Sequence, residues 1–158
     1  MPHLKRKSHL WFDRNAPMTS IKENTAMPLL IPVSWGELLD KITILQIKSD
    51  RMTDAAKLAN VRHELQLLAE VRDRQGFAPD GFAGLMAELR SVNERLWEIE
   101  DAIRECERRQ DFGGCFVELA RSVYFTNDRR AALKHRINRL LGSPVVEEKS
   151  YAVYGREE

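Results

Sequence analysis

A guanidinium placed on an oily helix face has to be neutralised by something, and Arg130 is in that position. Phe112, Phe116, Leu119, Val123, Leu133, Ile137 and Leu140 recur at steps of three and four, which puts them along one side of a helix. Thr126 and Arg130 interrupt that line, and Asn127, Lys134 and Asn138 lie on the strip beside it. A buried arginine costs several kcal/mol unless a partner or a ligand meets it. The preceding stretch carries Trp97 and Arg104 on one face and Glu94, Glu98 and Asp101 on the next. Folded against one another, the two stretches would form a cleft for a small anion. Arg121, Arg130 and Lys134 would touch its phosphate or carboxylate, and Trp97 or Tyr124 would stack on a ring. Asp101 lies opposite, and Asn127 completes the set. The competing reading makes the same residues interhelical salt bridges that set register, with Trp97 as packing. It ranks ahead of the cleft because charged flanks are common on helical hairpins.

Other chemistries find less support. Glu98 and Asp101 have the E-x-x-D spacing with which two carboxylates on one helix can share a hard cation. Glu64, Glu70 and the Glu147-Glu148 pair do not supply a second matching set, so a solvated acidic face is the better reading and no metal is assigned. Asp40, Lys41, Lys48 and Arg51 line one helix and read as a solvated edge. Cys115 falls near a helix start, where a thiolate is favoured, but neither His63 nor His135 is placed beside it. Gly113-Gly114 follows no strand and lacks the context of a phosphate loop. No cofactor is implied, and the sequence leaves open whether any reaction is catalysed.

The elements that must position these residues are helical. Phe82, Leu85, Leu89, Val92, Leu96, Ile99, Ile103 and Cys106 form a first long stripe, and the Arg130 stripe forms the second. Arg108-Arg109-Gln110-Asp111 breaks them in a way suited to an antiparallel turn. With the turn centred near Arg109, Trp97 and Asp101 would face Arg121, and Glu88 would face Arg130. Two shorter helices precede the pair. Ser34-Trp35-Gly36-Glu37 reads as a capping box opening a helix to about Asp50. Thr53-Asp54 opens another, from Ala55 to about Gln75, carrying Leu58, Val61, Leu65, Leu68 and Val71, with Gly76 as its left-handed stop. Asp80 and Asp111 are the expected caps of the third and fourth helices, and Gly142 ends the fourth. The expected fold is all-α: a long antiparallel hairpin with two shorter helices packed on it, an irregular four-helix bundle.

The chain has 158 residues, enough for one domain with its own core. We read residues 1–29 as a poorly ordered extension, 30–154 as the domain and 155–158 as a tail. Met1, Met18 and Met27 all stand as starts of the natural chain. Leu29 to Val33 is a short apolar run, extended or an edge strand, interrupted by Pro32. Charged residues make up 31%, and the net charge of +1 disfavours a general nucleic-acid binder. The two cysteines, Cys106 and Cys115, flank the turn and are expected as reduced thiols. With no membrane-spanning run and no apolar leader, a cytoplasmic protein is expected.

Four stretches then resemble a bacterial family of unknown function. They are Ile31-Pro32-Val33-Ser34-Trp35-Gly36-Glu37-Leu38-Leu39-Asp40-Lys41-Ile42-Thr43-Ile44-Leu45, Leu96-Trp97-Glu98-Ile99-Glu100-Asp101, Asn127-Asp128-Arg129-Arg130-Ala131 and Glu147-Glu148-Lys149-Ser150-Tyr151. The similarity covers about Leu30 to Tyr151. It implies a short, intracellular, helical protein found beside glycan-building enzymes, and no activity. Two functions are therefore carried forward. The first is a helical binding or interaction module, accessory to a glycan- or nucleotide-sugar-handling enzyme, with a protein partner or a second copy of itself. The alternative is an enzyme or sensor for a small anionic metabolite, a nucleotide or sugar phosphate, in the Arg/Trp/Tyr cleft.

Overall fold

The computed structural model describes residues 29–76 and 79–150. The expected extension up to residue 28, the tail, and the packing suggested for Tyr151 and Tyr154 lie outside the described residues. By compactness the chain divides into Met1–Leu30 and Ile31–Glu158. The second unit holds four helices: α1 (Trp35–Arg51), α2 (Ala55–Asp73), α3 (Phe82–Arg109) and α4 (Gly114–Leu140). Among the described residues there is no strand, so the run before α1 is plain extended chain with Ile31 and Val33 exposed.

The long hairpin forms, with α3 and α4 making the largest helix–helix contact. The centre of the packing, however, is α1, which touches all three other helices, whereas α2 packs on α1. The reason lies in side-chain distribution. Leu38, Leu39 and Ile42 of α1 meet Leu85, Leu89, Val92 and Leu96 of α3 and Leu133 and Ile137 of α4 in one buried cluster. Each such side chain contributes about 1.5–3 kcal/mol by leaving water. Helix α2 has no fully buried residue and reaches the cluster only through the half-buried Leu65 and Leu68.

Length decides where that core stops. At about 1.5 Å per residue, α1 is roughly two-thirds as long as α3. The turn-proximal end of the hairpin therefore projects past it. Ile103 and Cys106 are only half-buried, and Phe112 and Val117 are each 49% exposed.

Helix ends show which capping signals work. Ser34 Oγ accepts from Glu37 N at 3.2 Å, and Asp54 Oδ1 accepts from Lys57 N at 3.0 Å. Half of the expected capping box is missing, because the Glu37 carboxylate turns to Lys134 instead of back to the first turn. Nor does Asp80 cap α3: Gly81, at φ 83°, occupies that position. Asp111 bonds Gly113 N at 3.1 Å and so shapes the turn, while Gly113 itself stands at the cap of α4.

Candidate functional site

The N-terminus of α1 docks on the last turns of α4, between Lys134 and Ser143, and the later residues Ile44 and Ile47 of α1 reach the Arg130 cleft. A helix start leaves backbone donors without intrahelical partners. Here Trp35 N donates to Ser143 Oγ at 3.3 Å, Gly36 N to Asn138 Oδ1 at 2.6 Å, and Glu37 N to Ser34 Oγ. Position 36 has to be glycine for this approach, since a Cβ there would lie 2.8 Å from the Lys134 carbonyl oxygen and 2.9 Å from the Lys134 Cβ.

Lys134 is the buried cation of the region. Its Nζ binds both Glu37 and Glu147, the latter at 2.5 Å, so it ties α1, α4 and the segment after α4 together. Burial, and then the Glu147 carboxylate, push the Glu37 pKa up. Hydrogen bonds with Glu37 and then Lys134 hold Glu147 down at about 2. The Lys134 ammonium is held above its usual value, because its two carboxylate partners outweigh the opposing effect of burial, the largest single influence on it. A second buried polar group joins α1 to α3. Asn93 Nδ2 donates to Asp40 Oδ1 and to Thr43 Oγ1, both at 2.8 Å, and Thr43 Oγ1 donates to the Asp40 carbonyl at 2.8 Å. Because a carboxylate only accepts, it fixes which end of the Asn93 amide faces it. Asn93 Oδ1 is left as a buried acceptor with no partner.

Arg130 is half-buried one helical turn before Lys134, and it forms the common wall of two clefts. The first, about 370 Å³, is lined by Ile44, Ile47, Asn93, Leu96, Trp97, Glu100, Asp101, Arg104 and Arg130. The second, about 660 Å³, is lined by Val123, Tyr124, Asn127, Asp128, Arg130, Glu147 and Lys149. Both fall in the size range of small-molecule sites, roughly 300–1,000 Å³. In the first cleft Arg104 pairs with Glu100 at 3.0 Å, so those two charges cancel. Trp97 carries the Arg51 guanidinium 5.9 Å from its ring centroid, a cation–π contact that fixes the indole. Among the described residues Arg130 has no carboxylate partner.

The residues expected from sequence are thus divided. Trp97, Asp101 and Arg130 meet in the first cleft, and Tyr124, Asn127 and Arg130 in the second. Lys134 is consumed by Glu37 and Glu147, and Arg121 pairs on its own helix with Glu118 at 3.8 Å; neither lines these clefts. The expected register was also displaced. Glu88 meets Arg136 at 3.1 Å rather than Arg130. The connection occupies the residues between Arg109 and Gly114, so the turn is centred near Phe112, and every residue of α3 faces α4 about six positions later than a turn at Arg109 would place it. That shift moves Trp97 from Arg121 to the level of Asn127, one turn before Arg130, with which it lines the first cleft. Asn93 was missed as a site neighbour, and Asp40, expected on a solvated edge of α1, is instead 6% exposed and held by Asn93. The available signal was a polar residue inside each helix's apolar stripe, the same signal that marked Arg130.

Among the described residues no group of three or more metal-ligating side chains converges, and no helix is long and apolar enough to cross a membrane. The fold and the site define a four-helix protein with an arginine-walled cleft between its central helix and its hairpin. The chain belongs to a family of unknown function, DUF6165, whose profile matches residues 29–155. No curated protein and no solved structure matches it.

Proposed function

We propose that the protein is a small helical binding module that holds a small organic anion against Arg130 in the cleft between α1 and α3. One observation carries the reading: a half-buried guanidinium that no carboxylate among the described residues neutralises lies beside a fixed indole in a concave site of about 370 Å³. The other arginine of the cleft is already paired, so Arg130 is the cation a ligand would meet. The four stretches that carry the family resemblance also contribute to the two clefts, through Ile44, Trp97, Arg130 and Glu147. The proposed setting is the bacterial cytoplasm, where the module serves a larger enzyme of glycan or nucleotide-sugar chemistry. A ligand that binds only the folded state at a hundred times its Kd adds about 2.7 kcal/mol of stability. Thermal unfolding with a panel of carboxylates and phosphate esters tests the reading. Stabilisation that vanishes in Arg130→Ala and in Trp97→Ala is expected, and a panel without effect overturns it.

A second role rests on a separate feature. Among the described residues, the turn end of the hairpin exposes Phe112 and Val117, which supplies apolar surface for a protein partner, a second copy of this chain included. Sedimentation at high concentration tests the second copy, and a strict monomer removes it.

A further inference from the structure

We infer that the ligand of the Arg130 cleft is a zwitterion, a small molecule bearing a carboxylate and an ammonium on an apolar body, as a free α-amino acid does. The inference rests on the anion-binding reading above and goes beyond it by naming the class. Three observations decide it. First, the cleft holds one cation and one carboxylate without partners among the described residues, Arg130 and Asp101, once Glu100 and Arg104 have cancelled. A phosphate dianion would be drawn to Arg130 but repelled by Asp101, and would leave the site with excess negative charge. A zwitterion leaves both groups paired and the site neutral. Second, Asn93, a residue of the cleft wall, keeps a buried side-chain acceptor without a partner among the described residues, so donors and not further acceptors suit this wall. Asn93 is 5% exposed, its two amide hydrogens are committed to Asp40 and Thr43, and Oδ1 has no partner. An ammonium only donates and so matches Asp101; Asn93 stands eight residues away on α3, about 12 Å, and its acceptor would take a separate donor. Third, Ile44, Ile47, Leu96 and Trp97 form the rest of the wall, which suits an aliphatic or aromatic side chain and not a polyol. Arg130 is the natural carboxylate contact, since a planar guanidinium takes it through two parallel hydrogen bonds.

Calorimetric titration of the full chain with L-leucine and L-phenylalanine, their N-acetyl and carboxamide derivatives, and glucose 6-phosphate tests the class. The expected result is binding of at least one free amino acid, with a loss of about tenfold or more when either end is blocked. Asp101 is exposed, so Asp101→Asn leaves the fold intact. That variant should bind the free amino acid more weakly while keeping its affinity for the N-acetyl form. Equal binding of free and N-acetylated forms, or tighter binding of glucose 6-phosphate, overturns the zwitterion and leaves the anion site standing. No binding of any of these compounds overturns the zwitterion. If the carboxylate and phosphate panel also fails on the wild type, the anion site falls with it.

Discussion

Replacing Gly36 by alanine separates two effects that point in opposite directions. Intrinsic helix propensity favours alanine over glycine by about 1 kcal/mol. At position 36 the new methyl would meet the carbonyl oxygen of Lys134 at 2.8 Å, the Lys134 Cβ at 2.9 Å and Asn138 Oδ1 at 3.1 Å. The first two atoms belong to the α4 backbone and the root of a side chain, so neither can swing aside. Overpacking of this kind costs about 1–3 kcal/mol. Relief by moving α1 outward would stretch the 2.6 Å bond from Gly36 N to Asn138 and leave a buried donor unpaired, a further cost of about 1–3 kcal/mol. After subtracting the propensity gain, Gly36→Ala should destabilise by about 1–5 kcal/mol, and in a domain of this size each kcal/mol lowers Tm by about 2–4 °C. Gly84→Ala is the internal control: it is helical, and nothing lies within 4 Å of its added Cβ. It should stabilise by up to about 1 kcal/mol. Urea unfolding followed by far-UV circular dichroism reads both. A Gly36→Ala protein as stable as the wild type would refute the close docking of α1 on α4, and with it the frame of the cleft.

Other consequences concern ionisation and reactivity. Glu147 binds its proton less readily in the folded chain than in the unfolded one, so its contribution is complete above about pH 4.5 and drains as pH falls toward 2. Glu37 is displaced upward and acts oppositely, its contribution fading as pH rises through its folded value. In an acid unfolding series Glu147→Gln should therefore lose less stability than the wild type between pH 4.5 and 2; identical slopes would dissociate Glu147 from Glu37 and Lys134. Lys134→Met leaves Glu37 and Glu147 facing each other without their cation and should lower stability by about 1–3 kcal/mol in urea titration. Burial, with help from Cys115 nearby, pushes the Cys106 thiol up, whereas Cys115 is exposed. Alkylation followed by peptide mass spectrometry should modify Cys115 well before Cys106.

Periodicity made much of this architecture legible. The stripe from Leu85 to Ile99 is buried as its spacing requires, and the helix ends at Gly76 and Gly142 are left-handed as glycine permits. What could not be read was long-range. The central place of α1 depends on which faces remain free after the hairpin closes, and no local pattern encodes that. Register failed for a simple reason: a turn misplaced by three residues displaces every facing pair by six, which moved Trp97 from Arg121 to the level of Asn127, within one turn of Arg130. Lys134 and Arg130, one turn apart, looked equivalent in sequence. Their difference is set by Glu37 and Glu147, one far away in the chain and the other in a segment without secondary structure. Asn93 reads as an ordinary interruption of a stripe until Asp40 and Thr43 are seen beside it.

The central claim is that Arg130 is the anchor of a ligand. Its most direct test is a side-chain nitrogen–proton NMR titration of the full chain with small carboxylates, amino acids and phosphate esters. The Arg130 Nε–H and Trp97 Nε1–H signals should shift together and saturate with one of these ligands, and that response should be lost in Arg130→Ala. Signals that stay still at millimolar ligand, or a response that survives in Arg130→Ala, would contradict it.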